Sequence, residues 1–270
     1  MFAEIESLRA EGAALSTLLS RLDAAGWHQA TPFKSWTPWD VIAHLHLSDS
    51  WARASLRSPA HFRTQAAPLM AAIQQRIPLR EFTRLRFESI GGPTLAAMWK
   101  EGLDGLCDAL AQADPKARLA WFGPDMGVRM FATARFMETW AHAQDLYDLL
   151  REPREYDDRI EAIATLGVRT YEFCFRNRGR RPPDPAPHLR LVAPSGAIWE
   201  HHAPSQTDRI EGLASEFCHV VTQNRNVADT RLQVTGQAAQ QWMAIAQCFA
   251  GPPEDPPPAG SRGPIATGRV

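Results

Sequence analysis

ARFMETWAHAQDLYDLL, residues 134–150, carries Glu138, His142 and Asp145 at successive spacings of four and three in an otherwise apolar run. On an α-helix these spacings put all three side chains on one face. They share it with Phe131, Ala134 and Leu149, while Phe136, Trp140, Ala143, Tyr147 and Leu150 occupy the opposite face. No side of this helix is clearly solvated, which predicts burial in a helical core. A buried carboxylate needs a cation, a proton or several hydrogen bonds. Glu138 therefore marks either a site or an i,i+4 pair with His142 on a semi-exposed edge. The pattern is not HExxH, because a glutamate stands at the first ligand position, so a third ligand has to come from elsewhere.

The best donor is TPWDVIAHLHLSDSWARA, residues 37–54. Thr37 suits an N-cap, Pro38 the first helical position and Asp40 the first turn, so a helix should run to about residue 56. On its wheel His44 falls with Val41, Leu47, Ser48 and Trp51, a mostly apolar stripe, whereas His46 falls with Trp39, Ser50 and Arg53. His44, Glu138 and His142 would give two imidazoles and one carboxylate with a position left open. Catalytic zinc has that composition, and nickel or iron(II) also fits it. Asp145 suits a residue that orients a ligand or the substrate.

Around these segments, residues 2–25 repeat apolar positions at a helical period, and GPTLAAMWKEGLDGLCDALAQAD (residues 92–114) reads as a third long helix. The fourth should run from about residue 126 to 150. Residues 58–87 are expected as short helices and loops broken at their prolines. Four long helices predict a four-helix bundle over residues 1–152, an architecture whose core hosts metals. Residues 153–250 predict a small α+β domain. It has a helix over 157–178, strand-like runs HLRLVA, AIWEHH, DRIEG and TRLQVTG, and two interleaved helices. The RNRGRR run at 176–181 reads as a solvated linker. Residues 251–270, rich in Pro and Gly, are expected to be disordered or draped.

The chain has 270 residues, 44% of them hydrophobic, and a formal net charge of −1. That balance supplies no basic field for nucleic acid and no polybasic strip for a membrane. With no signal-peptide pattern and no spanning apolar run, a cytoplasmic protein acting on a small molecule is expected. Cys107, Cys174, Cys218 and Cys248 lie far apart in hydrophobic segments and form no CxxC pair, so they read as buried small hydrophobes. The nine tryptophans suit a core and a homodimer interface equally, leaving oligomeric state open.

SWTPWDVIAHL and FATARFMETWAHAQDL together resemble the DinB-like metalloproteins, in the branch that contains mycothiol-dependent maleylpyruvate isomerase. The likeness runs from about residue 5 to 253. It implies a DinB-like four-helix bundle holding a metal through His44, Glu138 and His142, followed by a sterol-carrier-like α+β domain. In that second domain Arg225 is the first candidate to contact an anionic thiol or substrate, with a helix-end role as its alternative. The resemblance further implies a zinc-dependent S-transferase or isomerase that uses mycothiol or glutathione on an electrophilic substrate. A metal-dependent hydrolase and an acyl- or lipid-binding protein with a structural metal are the competing readings.

Overall fold

The computed structural model describes residues 2–263, and the last seven positions of the tail lie outside the described residues. The chain divides into two compact units, residues 1–149 and 150–270.

The first unit is helical: α1 (Ala3–Leu19), α2 (Pro38–Arg57), α3 (Pro59–Gln74), α4 (Leu79–Phe87), α5 (Gly92–Gln112) and α6 (Val128–Leu150). A two-residue-strand hairpin, β1 (Arg118–Leu119) with β2 (Met126–Gly127), precedes α6. Helices α1, α2 and α5 pack side by side, and α3 and α4 lie against α2. Ile5, Leu8 and Leu15 of α1, Ile42 and Leu45 of α2, Trp99, Leu103 and Leu106 of α5, and Phe131 and Phe136 of α6 are all essentially fully buried. The apolar stripe on each helix thus becomes one shared core.

Helix α2 begins with the expected cap. The Asp40 N–H donates to Thr37 Oγ1 (3.2 Å) and the Thr37 N–H donates to Asp40 Oδ2 (2.9 Å), with Pro38 at the first helical position. Residues 59–74 depart from expectation: they form one helix that carries Pro68 in its interior. Pro68 and Thr64, whose carbonyl loses its helical partner, are both exposed, so water can take the freed acceptor.

The second unit opens with a 3₁₀ turn and α7 (Glu161–Arg169), then α8 (Tyr171–Arg176) after a break at Thr170. Strands β3 (His188–Val192), β4 (Ile198–His201), β5 (Arg209–Leu213) and β6 (Gln233–Thr235) form one mixed sheet in the order β4-β3-β5-β6. β3 and β5 run parallel, and the other neighbours are antiparallel. Helix α9 (Ala214–Val221) packs on β5 and β3 and against α7, burying Phe217, Val220 and Val221. Helix α10 (Gln237–Met243) follows β6. It starts at Gly236, whose φ of +91° and whose closeness to the Thr207 carbonyl leave no room for a Cβ.

The described part of the Pro/Gly-rich tail is draped over this unit. Gln223 Nε2 donates to Glu254 O (2.7 Å), Asn226 Nδ2 to Pro257 O (2.9 Å), and the Gly260 N–H to Asp229 Oδ1 (2.8 Å). These bonds correspond to the draped alternative for residues 251–263. Among the described residues no helix is long and apolar enough to cross a membrane.

Candidate metal centre

His44 on α2 and Glu138 and His142 on α6 converge, each offering one donor atom within 4.8 Å of the others. His44 Nε2 is 3.5 Å from Glu138 Oε2, and His142 Nε2 is 3.8 Å from the same oxygen. Donor atoms around a tetrahedral ion with bonds of about 2.1 Å stand roughly 3.4 Å apart, close to these separations. Two imidazoles and a carboxylate also form a donor set that zinc, nickel and iron(II) accept. The residues therefore fit a divalent ion.

The second nitrogen of His142 has its own partner. Nδ1 lies 3.2 Å from Oδ2 of Asp145, which is buried. A carboxylate there favours the tautomer with hydrogen on Nδ1, which leaves the Nε2 lone pair facing Glu138. Burial pushes the Glu138 carboxyl up, but the His44 hydrogen bond and the charge of Arg135 outweigh it and hold the group down at about 2. Burial lowers the His44 pKa, and His142 and Arg135 lower it further against the pull of Glu138. At neutral pH the pair is thus a carboxylate and a neutral imidazole, the states that ligate metals.

His46 lies outside this group. It is half-buried with its ring edge-on to Phe87 at 5.4 Å. Arg225 belongs to the second unit, where it is fully buried just beyond α9. Its backbone N–H donates to His219 O (3.1 Å) and its Nη1 to Asn224 O (2.9 Å).

Two features of the site carry no sequence signal that singles them out. The first is an aromatic wall before α2. The Trp36 ring stacks on His142 at 5.9 Å and an interplanar angle of 4°, and the Phe33 ring meets His142 edge-on at 5.2 Å. Between them Lys34 and Ser35 take left-handed φ angles of 49° and 56°. That turn is costly for non-glycine residues and persists only if its surroundings hold it. Arg80 does so, donating from Nη2 to Ser35 O (2.7 Å) and to Asp40 Oδ2 (2.8 Å). Arg84 Nε donates to the other Asp40 oxygen at 2.6 Å.

Burial raises the Asp40 pKa, but Arg84, Arg80 and Thr37 overcome it and leave the carboxyl at about 2. The stability this provides is present above the ordinary aspartate range and is lost as pH falls through about 2. Asp40→Asn should cost about 2 kcal/mol at pH 7 and progressively less on acidification. Urea unfolding of both proteins at pH 7, 4 and 3 checks this; a gap unchanged across the series contradicts it.

The second feature lies beside the centre. Arg135 Nε donates to Asp49 Oδ1 (2.9 Å) and Trp99 Nε1 donates to Asp49 Oδ2 (3.1 Å), all buried. This network joins α2, α5 and α6, and its arginine is the one that acts on Glu138 and His44.

None of the four cysteines takes part in the centre. All are buried and free of disulfides, and burial pushes the Cys107 thiol up to about 12 and the Cys218 thiol up as well.

Residues 8–147 match the family model described as the mycothiol maleylpyruvate isomerase N-terminal domain. The chain belongs to this family. The matched span contains His44, Glu138, His142 and Asp145. Two uncharacterized proteins of Mycobacterium tuberculosis, from strains CDC 1551 and H37Rv, are each 34% identical over 249 residues, covering 92% of this chain and 96% of theirs. The fold is also that of solved members of the mycothiol maleylpyruvate isomerase family. The crystal structures of the mycothiol-dependent maleylpyruvate isomerase and of a histidine-to-alanine mutant each align with a TM-score of 0.52 at 15% identity. Each alignment covers 81% of this chain and 87% of that one.

Proposed function

We propose that this protein is a metal-dependent enzyme, with zinc as the metal, that uses a low-molecular-weight thiol to isomerise a small electrophilic alkene or to transfer the thiol onto it. The observation that carries the reading is the convergence of His44, Glu138 and His142, with Asp145 against the outer nitrogen of His142. A divalent ion held there supplies a Lewis acid that lowers the pKa of a thiol into the neutral range.

The chain's own residues do the rest. Glu138 stays ionised and His44 stays neutral, so both keep a lone pair for ligation. Asp145 keeps the His142 proton on Nδ1. Phe33 and Trp36 give the site an apolar, flat wall that suits an unsaturated substrate and limits water. Arg225, expected as an anion contact, is fully buried in the second unit with Nη1 donating to Asn224 O, and no part of this chemistry rests on it. All four cysteines are buried, so the sulfur nucleophile in this reading is supplied from outside the chain.

In this reading the external thiolate forms a C–S bond with one alkene carbon, and the electron pair moves onto the conjugated acceptor. Rotation about the resulting single bond followed by thiolate expulsion restores the alkene as its isomer, with no net proton consumed. Protonation of the adduct instead ends in S-transfer. The family model and the solved structures that align are named for mycothiol, which makes it the first thiol to supply, with glutathione second.

The test is turnover of maleylpyruvate by the zinc-loaded full chain with mycothiol, with glutathione and with no thiol. Thiol-dependent isomerisation that His44→Ala abolishes is expected. Background rates with both thiols contradict the reading, and turnover without thiol moves it to the hydrolase.

A further inference from the structure

The second unit holds an open cavity of about 580 Å³, bounded by the junction of α7 and α8, the Pro-rich segment 180–187 and His202 just after β4. Four arginines line it, Arg169, Arg176, Arg180 and Arg181, against two carboxylates, Glu172 and Asp184. Arg176 is paired with Glu172 at 2.8 Å. Both of those side chains are well exposed, so this bridge is weak and easily exchanged. Among the described residues no ion pair engages Arg169, Arg180 or Arg181. The RNRGRR run is thus not uniformly solvated. Arg178 turns away, donating to Asp255 Oδ1 (2.8 Å) and Glu254 O (2.5 Å), while the other three arginines face one concavity.

The walls are fixed before any ligand arrives. Tyr171 Oη donates to Pro183 O (2.8 Å), His202 Nδ1 donates to Pro187 O (2.7 Å), and the Arg180 N–H donates to Phe175 O (2.9 Å). Pro182 and Pro183 remove backbone freedom from the same segment, so little ordering remains to be done on binding. The lining is not wholly charged, because Val168, Tyr171, Pro182 and Ala186 contribute apolar surface. A volume of this size lies in the range of sites for small organic ligands and is far larger than one inorganic anion needs.

We propose that this cavity is a binding site for a small organic phosphate. The unpaired guanidiniums would fork onto phosphate oxygens, and the Val168, Tyr171 and proline surface would take the organic body. A monocarboxylate would leave most of the positive charge unmatched, whereas a phosphate ester or diphosphate carries two or three negative charges. The site is built entirely from second-unit residues and does not depend on the metal centre.

Isothermal titration calorimetry of the full chain, stripped of metal by chelation, tests this with ADP, pyrophosphate and adenosine at low ionic strength. ADP should bind, adenosine should give no heat, and pyrophosphate should bind more weakly than ADP. Arg169→Ala and the double variant Arg180→Ala/Arg181→Ala should each weaken ADP binding at least about tenfold, which is the loss of about one charge-assisted contact. Arg190→Ala, an exposed position on β3, should leave it unchanged. No heat from ADP or pyrophosphate up to millimolar concentration overturns the proposal. So does equal ADP affinity in the wild type and the cavity variants. Pyrophosphate binding as tight as ADP overturns the organic half of it.

Discussion

Glu138→Gln should raise the dissociation constant for zinc by more than about 100-fold while the metal-free chain stays folded. The two outcomes separate because of where Glu138 sits. Its side chain is 26% exposed and its partners are His44 and His142, so an amide of the same shape strands no deeply buried charge. What it removes is the only negative donor among three, and with it the charge that compensates a divalent cation. His44→Ala should have a comparable effect on affinity. Competition against a chelating dye, beside thermal melts of the apo proteins, reads both quantities. Equal zinc affinity in wild type and variants would mean that the ion, if bound, sits elsewhere.

The second large effect is on stability. Asp49→Ala should destabilise the helical unit by about 3–5 kcal/mol, because it leaves Arg135 as an uncompensated buried charge and takes the partner from Trp99 Nε1. For a unit of this size that corresponds to a fall in melting temperature on the order of 10 °C. Adding Arg135→Met should recover much of the loss, since an apolar side chain no longer needs the carboxylate. Simple additivity of the two substitutions would refute the pairing. Scanning calorimetry of the four proteins gives the cycle.

The candidate centre was legible because its donors interrupt stripes that are otherwise apolar. His44 falls among Val41, Leu47 and Trp51, and Glu138 and His142 recur four residues apart on a helix with no wet side. Local periodicity was enough to place each on a buried face, and it needed no knowledge of how the helices cross. Asp49 and Arg135 also stand in apolar helices, yet nothing at i±3 or i±4 links them, since their pairing is set by the register of α2 against α6. Trp36 and Phe33 were hidden for a different reason. The turn that aims them uses left-handed Lys34 and Ser35 where glycine or asparagine would announce it, and it is held by Arg80 from a helix more than forty residues away.

In the second unit the strands were readable from alternation, but not their order. Placing β3 beside β5 in parallel is decided by the return of the chain past the β4 edge. For residues 251–263 composition left disorder and draping both open. A Pro/Gly-rich segment with little apolar content is still held in place when its carbonyls accept from side-chain amides such as those of buried Gln223 and half-buried Asn226.

X-ray absorption spectroscopy on the tag-free full chain, reconstituted with zinc and dialysed, tests the centre most directly. One zinc per chain is expected, with a first shell of nitrogen and oxygen, imidazole scattering from two histidines and no sulfur. Failure to retain a stoichiometric ion, or a shell containing cysteine sulfur, would contradict the assignment of His44, Glu138 and His142.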